Sequence, residues 1–321
     1  MNLNDEVRRD YFISAQMKKV WAIQIMMVQK LLEVCNRHNL KIWAEGGTLL
    51  GTIREHGYIP WDNDIDLKMF RNDYDKLLSI ASQEFKSPFF FQSYKTDINY
   101  FRGHSQLRYD GTTCILPGEE FCDFHQGIFI DIFVNDSIPN QLDEDWEWRV
   151  KKADSTMRLL YEYSHKYSVL NPSYLIKRFR QKVYCKIKNP LLLYEECEDL
   201  FRHYKLEENE RVCHIMFIRN IEKIPIIQKE WYSSTIYMPF EDIELPVPVG
   251  YHEILSTQYG IDYMIPKKVT TLHGEFAALD TEVSYKEYIP KLRKECWKRW
   301  RKAQSEKILK KNKTNSLVEL K

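Results

Sequence analysis

The chain has 321 residues, of which 44% are apolar and 14% aromatic, and its formal net charge is +1. This apolar content is enough to bury a sizeable core, so it excludes wholesale disorder. The length suits one large domain or two modest ones. A net charge this close to zero gives no sign of a nucleic-acid partner, and none is expected.

The cysteines and the apolar runs indicate the cellular compartment. Seven cysteines are scattered along the chain without a CxxC pair, which favours reduced core thiols over a disulfide framework or a zinc finger. Residues 1–12 carry charges from Asp5 onward and lack an apolar signal segment. Because no apolar run reaches roughly 18 residues, no transmembrane helix is predicted. We therefore expect a cytoplasmic protein.

The N-terminal region is predicted to be mainly helical. Apolar residues recur at three- and four-residue steps from Val20 onward, which predicts a helix over residues 6–40. A short apolar strand over 41–44 follows and runs into a glycine turn. The first turns of a second helix are expected over 49–54, and Pro60 gives the next element an extended entry.

Strand patterns alternate with helix patterns in the next part of the chain. Residues 61–70 alternate between polar and apolar side chains, and residues 72–84 return to a helical pattern. Further strands are predicted over 88–92 and 99–109. The strongest strand covers 127–134, where four aliphatic residues define one face and Asp131 lies on the other.

The C-terminal half is mostly helical in pattern. Residues 141–210 are charged and mostly helical, and they are rich in aromatic and basic residues. Strands are predicted around prolines at 222–227 and 242–249. A basic helix is predicted over 286–313, followed by a polar tail.

Four aspartates form the main chemical signal. Asp62, Asp64 and Asp66 would share one face of the predicted strand, at about 6.5–7 Å spacing, with Asp131 reaching them from a second strand. Carboxylates held this close repel each other unless a cation compensates, and oxygen ligands favour Mg²⁺ or Mn²⁺. An exposed acidic turn, and a buried aspartate that accepts backbone hydrogen bonds, are the simpler alternatives.

A glycine turn strengthens the metal interpretation. Gly46 and Gly47 follow a strand and open a helix, where backbone amides can approach a phosphate group. Thr48 adds a hydroxyl, although neither a P-loop nor a GxGxxG pattern is present. Arg54 is placed either to contact a phosphate or to form a structural ion pair with the acidic strand.

Together these motifs resemble the signature of the LicD family of the nucleotidyltransferase superfamily. The run WAEGGTLLGTIREHGYIPWDNDIDLKM contains the family's GG[ST]LLG turn, its arginine-containing helix and its [IF]PWDxDxD strand. The segments QLRYDGTT, GIFIDIF and QYGIDYMIP resemble its later blocks, so the likeness spans about residues 15–275. Ile261 separates Gly260 from Asp262, where the family usually runs Gly-Asp directly.

The resemblance implies an α+β fold with a nucleotidyltransferase-like mixed sheet flanked by helices. The expected organisation is a catalytic core over 1–140, a helical basic and aromatic insertion over 141–210, the remainder of the LicD-like region over 211–285, and a basic C-terminal helix with its tail over 286–321.

The resemblance also implies roles for individual residues. Asp64 and Asp66 would hold Mg²⁺ (or Mn²⁺), and Asp131 would complete the coordination and take a proton, with Asp62 as an additional candidate ligand. The donor phosphates would contact the side chains and amides of Gly46, Gly47, Thr48, Arg54, His104 and Arg108.

The implied reaction is phosphotransfer from a CDP-activated donor, such as CDP-choline or a CDP-alditol, to a glycan hydroxyl of teichoic acid or lipopolysaccharide. The carboxylates alone do not determine which phosphorus is attacked. A nucleotidyltransferase that releases pyrophosphate and a catalytically silent nucleotide-binding scaffold therefore remain alternatives.

Two basic segments suggest a further partner. Residues 291–313 hold eleven lysines and arginines against two glutamates, and residues 166–188 are similarly basic and aromatic. Such segments can lie on an anionic membrane face or bind an anionic, lipid-linked acceptor, and a solvated terminal helix is the simpler alternative.

Overall fold

The computed structural model describes residues 1–165, 172–214, 227–267 and 276–318. A hairpin of β1 (Glu6–Arg8) and β2 (Tyr11–Ile13) precedes the first helix, α1 (Ala15–Arg37). The helix predicted to begin at residue 6 is therefore wrong over its first nine residues. Arg9 and Asp10 adopt positive φ angles of 48° and 55°, which close a tight hairpin turn. The hydroxyl of Ser14 then caps α1 by accepting from the amide of Met17.

The central sheet has seven strands among the described residues, which are β3 (Trp43–Ala44), β4 (Asp66–Phe70), β5 (Phe89–Gln92), β6 (Ser105–Tyr109), β8 (Phe129–Ile138), β9 (Arg211–Cys213) and β10 (Ile227–Gln228). Their order is β10-β9-β8-β4-β3, with β6 beside β8 and β5 beside β6. Only β4 and β8 run parallel within this sheet. This mixed sheet confirms the predicted α+β fold class.

Helices cover the sheet and connect its strands. They are α2 (Gly46–Arg54), α3 (Arg71–Glu84), α4 (Glu144–Ser164), α5 (Pro172–Lys188), α6 (Pro190–Arg202), α7 (Tyr251–Tyr259) and α8 (Tyr285–Val318). The predicted helical insertion and basic C-terminal helix are both present. Leu160, Cys185 and Tyr194 of the insertion belong to the same apolar core as Val28 of α1 and Ile132 of β8.

Several predicted strands begin later than their sequence patterns suggested. The segment 61–65 is a loop, so the strand of the acidic motif starts only at Asp66. The strands predicted over 99–109 and 41–44 start at Ser105 and Trp43. Side chains of α1 fix the acidic loop in its irregular conformation, because Trp21 and Gln24 donate to its carbonyl oxygens.

The remaining strands form two small ribbons. The predicted strand over 242–249 is confirmed as β12 (Ile243–Pro248), which pairs with β11 (Thr235–Phe240). β7 (Thr113–Ile115) pairs with β13 (Ala278–Asp280), against which α8 packs. The strand predicted over 222–227 falls mostly outside the described residues. None of the described helices is both long enough and apolar enough to cross a membrane.

Candidate metal centre

Three carboxylates converge where β4 and β8 lie side by side. Asp66 and Asp131 are direct neighbours in the parallel register of the two strands, and Asp64 approaches from the preceding loop. One carboxylate oxygen from each of the three lies within 4.8 Å of the other two. Asp131 is 3% exposed, and its amide donates to the carbonyl of Ile65 at 2.8 Å. The cluster is therefore built into the sheet and can hold a metal ion.

Side-chain hydrogen bonds from α1 hold the loop that carries Asp64. Gln24 donates to the carbonyl oxygens of Asn63 at 3.0 Å and Phe129 at 3.2 Å, so one side chain joins the loop to β8. The hydroxyl of Tyr58 donates to the Gln24 side chain at 2.9 Å. These buried contacts fix the loop despite its lack of regular structure.

Electrostatics in the cluster favour a cation. Burial raises the pKa of Asp66 well above the ordinary aspartate range, and the neighbouring Asp64, Asp131, Asp62 and Glu45 carboxylates raise it further. A divalent cation would remove this repulsion, and a site made only of carboxylate oxygens suits a hard ion. The residues present therefore fit the implied metal.

Asp62 occupies a different position from the other three aspartates. It does not belong to the close set of carboxylates among the described residues. It lies against the start of α2, where a Cβ atom added at Gly47 would come within 2.5 Å of its Oδ2 atom. Its Oδ1 atom accepts from the amide of Asn63 at 3.1 Å. Asp62 therefore borders the glycine turn, and its proposed role as a metal ligand stays a prediction.

Polar side chains of β6 and its preceding loop hold the Asp131 carboxylate. Gln106 donates to its Oδ1 atom at 2.6 Å, and Nε2 of His104 lies 3.0 Å from the same oxygen. Arg108 donates to the side-chain oxygen of Gln106 at 2.6 Å and is itself fully buried. The structure thus places Arg108 in the core, where it supports Gln106 and does not line the cavity described below.

The glycine turn begins α2 directly beside the carboxylates. Helix α2 starts at Gly46, three residues before the helical turns predicted over 49–54. Gly46 has a φ of 54°. A Cβ at this position would lie 3.4 Å from Asp66 Oδ2. The buried Thr48 hydroxyl accepts from the amide of Asp66 at 2.8 Å, so it joins α2 to the first residue of β4.

A cavity of about 600 Å³ opens between the start of α2, the acidic loop and the segment after α7. Arg54 lines it, donating to the carbonyl of Tyr263 at 3.0 Å and to Glu55 at 2.7 Å. The ion pair of Arg54 is thus with Glu55 and not with the acidic strand. The cavity walls also include Trp61, Phe133, Tyr259, Ile265 and Lys267.

Several cavity residues were not assigned a role from sequence. Lys68 is 5% exposed and donates to Glu45, which also accepts from Gln258 at 2.8 Å. Nδ1 of His214 donates to the carbonyl of Val134 at 2.8 Å, and burial, together with the nearby Lys68, lowers the pKa of His214 to about 3. The alternation over residues 61–70 puts Lys68 on the same strand face as Asp66, and this could have indicated that Lys68 lies near the site. No sequence pattern around His214 indicated that it lines the cavity.

Comparison with known proteins identifies a matching family and several relatives. Residues 39–114 match the LicD/FKTN/FKRP nucleotidyltransferase domain family. The chain is 24% identical over 236 residues to the lipopolysaccharide cholinephosphotransferase LicD of Haemophilus influenzae. The aligned region covers 72% of this chain and 84% of that protein.

Two rickettsial proteins are also similar over shorter regions. Uncharacterized protein RP689 of Rickettsia prowazekii is 28% identical over 147 residues, or 46% of this chain and 50% of that one. Uncharacterized protein RT0683 of Rickettsia typhi is 36% identical over 73 residues, or 23% of each chain.

Proposed function

Since the chain belongs to the LicD/FKTN/FKRP nucleotidyltransferase domain family, we propose that it is a metal-dependent phosphotransferase acting on a CDP-activated donor. The observation that carries the proposal is the convergence of Asp64, Asp66 and Asp131 at the edge of a cavity that also receives the N-terminus of α2. Carboxylates for a cation and amides for a phosphate thus lie side by side.

The chemistry divides between the carboxylates and the start of α2 beside them. A divalent cation held by Asp64, Asp66 and Asp131 would polarise a phosphoryl oxygen and the attacking hydroxyl. Beside these carboxylates, the amides of Gly46 and Gly47 face the donor phosphates at the positive end of α2. Arg54, already positioned by its bond to Tyr263, offsets phosphate charge from the same wall.

The proposed step joins an acceptor oxygen to the β-phosphorus of the donor. The bond between that phosphorus and the oxygen bridging it to CMP breaks, and CMP leaves with the electron pair. Asp131 takes the proton of the acceptor hydroxyl, while Gln106 and His104 hold its carboxylate in place.

The donor and acceptor classes rest on the family likeness. The similar Haemophilus protein is named as a lipopolysaccharide cholinephosphotransferase. We therefore extend the proposal to a phosphocholine-like or phosphoalditol donor and to a hydroxyl of a cell-surface glycan as the acceptor. Because CDP-linked donors are cytoplasmic metabolites, the proposal places the reaction in the cytoplasm.

Nucleotide transfer is the second candidate, favoured by the match to a nucleotidyltransferase domain. The same carboxylates would serve attack at the α-phosphorus of a nucleoside triphosphate, with pyrophosphate as the leaving group. The two reactions are separated by their products. Purified protein is incubated with Mg²⁺ or Mn²⁺ and with CDP-choline, CDP-glycerol, CDP-ribitol or CTP, and CMP and pyrophosphate are both measured.

Charge-neutralising variants test the site itself. Asp66→Asn and Asp131→Asn each remove one ligand charge, and we expect product formation to fall at least about a hundredfold. Asp10→Asn makes the same chemical change in the exposed β1–β2 turn, where asparagine tolerates the positive φ. Near-normal turnover in either site variant, with metal still required, would contradict the assignment.

A further inference from the structure

Helix α5 carries apolar side chains on the side that faces away from the protein. Phe179, Val183 and Ile187 are 70%, 41% and 77% exposed and follow one another at four-residue steps. We call these three residues the α5 stripe. Four-residue steps keep side chains on one face of a helix, so the α5 stripe forms a continuous apolar line.

The opposite side of the helix makes the contact with the rest of the chain. Cys185 is fully buried and belongs to the main apolar core. At 100° per residue, Val183 at the centre of the stripe points about 160° away from Cys185. The α5 stripe therefore faces solvent, on the side of the helix opposite to the one that packs against the core. Leu191 and Leu192, at the start of α6, extend the exposed apolar surface.

The charge of α5 is entirely of one sign. The segment Pro172–Lys188 contains six lysines and arginines and no acidic residue. Exposed Lys182 and Lys186 flank one side of the stripe, exposed Arg180 flanks the other, and exposed Lys188 lies further round the helix on the side of Arg180. An apolar line bordered by cations on both sides is the pattern of a helix that lies in the interface of an anionic bilayer.

We propose that the α5 stripe and its flanking lysines and arginines form a docking surface for an anionic phospholipid membrane. Other occupants fit the charges and the stripe less well. A second copy of the chain would bring two basic helices together, which is repulsive, and a nucleic acid would leave the apolar line without a partner. The proposal does not depend on the catalytic assignment, although it would bring the cavity near lipid-linked acceptors.

Vesicle co-sedimentation tests the surface with a matched pair of variants. Full-length protein is mixed with phosphatidylcholine vesicles, with or without phosphatidylglycerol. Phe179→Ser combined with Ile187→Ser removes one Phe and one Ile from the stripe. Phe12→Ser combined with Ile98→Ser removes the same two residue types from exposed positions elsewhere, at 62% and 72% exposure.

We expect wild-type protein and the control pair to sediment with the anionic vesicles, and the ratio of bound to free protein to fall about tenfold or more in the stripe pair. Arg180→Gln, Lys186→Gln and Lys188→Gln together should remove the preference for phosphatidylglycerol. The same charge change at exposed Lys41, Lys86 and Lys95 should not.

Three results would overturn the proposal. The first is that wild-type protein does not bind anionic vesicles, or that the stripe pair binds them equally well. The second is that binding is lost only when the four C-terminal lysines at 307, 310, 311 and 313 are replaced by glutamine. The third is that the stripe pair changes only the oligomeric mass in light scattering, which would make this face an interface between copies.

Discussion

The side-chain amide of Gln106 has only one orientation that its neighbours allow. Arg108 can only donate and the Asp131 carboxylate can only accept, so the Gln106 oxygen faces Arg108 and its nitrogen faces Asp131. Arg108 is itself fixed by Gln92 at 2.8 Å and by the carbonyl of Gly127 at 2.7 Å. Gln106 is therefore a positioning residue that sets the rotation of a carboxylate of the metal site.

Gln106→Glu should separate the two contacts of this amide. The new carboxylate keeps an acceptor for Arg108 but loses the donor to Asp131, and two carboxylates then face each other. We expect turnover to fall about 10–100-fold while the protein stays folded. Steady-state kinetics, with Mn²⁺ affinity measured in parallel, would show whether kcat and metal binding change together.

Gln92→Glu is the matched control, since it also places a carboxylate beside Arg108 but does not contact Asp131. It should lower the Tm, because Gln92 also donates to Asp97 at 2.6 Å, and leave the turnover of folded protein near wild type. Equal loss of turnover in both variants would show that Gln106 acts only through general stability.

The pH dependence of stability follows from Asp66. Burial and the neighbouring carboxylates raise its pKa well above the ordinary value of about 4. A carboxyl group whose pKa is higher in the folded state stabilises the fold below its unfolded pKa, and this contribution is lost as pH rises through the folded pKa. We expect the metal-free protein to lose Tm over that interval, and Mg²⁺ to restore more Tm at the higher pH.

Thermal melts in chelator and in excess Mg²⁺, taken across pH, measure this effect. Asp66→Asn cannot ionise at this position, so its metal-free Tm should depend less on pH and its response to Mg²⁺ should be small. A Mg²⁺ response in Asp66→Asn equal to that of wild type would place the stabilising ion elsewhere.

Among single residues, the sequence predicted the carboxylates of the site better than the side chains that hold them in place. The spacing of Asp64 and Asp66, together with the strand context of Asp131, was sufficient to predict that they converge. Gln106 and Glu45 were missed because their roles depend on partners that only the folded sheet brings near. The family resemblance placed Arg108 at the phosphates, and the sequence could not correct this because a lone arginine on a strand does not show which partners it will find.

Two glycines of helix α2 allow close contacts, one with the acidic loop of the site and one with backbone away from it. A Cβ at Gly47 would meet the Oδ2 atom of Asp62 at 2.5 Å, whereas a Cβ at Gly51 would meet the carbonyl of Gly57 at the same distance. Gly47→Ala should displace a side chain and reduce turnover with little change in Tm. Gly51→Ala should displace backbone and cost about 1–3 kcal/mol of stability.

Urea unfolding and donor turnover, measured on both variants, would show the contrast. If Gly47→Ala leaves turnover unchanged, the close approach of α2 to the acidic loop has no catalytic role. If both variants lose only stability, the glycines serve packing alone.

Element boundaries were predicted less well than element types. Alternation over residues 61–70 was real, but it did not show that Trp21 and Gln24 of α1 would hold the first half as a loop. The β1–β2 hairpin was missed because Arg9 and Asp10 adopt positive φ without a glycine or asparagine to signal the turn. Both errors concern contacts or backbone angles that local periodicity does not record.

At the scale of the whole molecule, a buried ion network joins the helical insertion to the sheet. Arg71 at the start of α3 donates to Asp136 of β8 at 2.6 and 2.9 Å, and it also contacts Glu198 of α6. Asp136 and Glu198 are each 1% exposed. The domain boundaries predicted at residues 140 and 210 stay a prediction, and this network crosses the first of them.

Arg71→Leu should therefore destabilise the whole chain. It leaves two buried carboxylates without their shared cation, which costs about 3–5 kcal/mol. Arg158→Leu, which removes an exposed pair with Asp154, should change stability by less than about 1 kcal/mol. Urea unfolding measures both, and equal effects would show that the network does not hold the insertion to the sheet.

The parallel pairing of β4 with β8 also has a consequence for folding kinetics. Asp66 and Asp131 meet only after two segments 65 positions apart have closed into register. Pairing across such a separation is slow to form, so the ion site should be incomplete in the folding transition state. Saturating Mg²⁺ should then slow unfolding and leave the refolding rate almost unchanged. The cation would therefore stabilise the native state but not the folding transition state. Folding and unfolding rates measured by stopped flow across denaturant concentration, in chelator and in Mg²⁺, would show this difference.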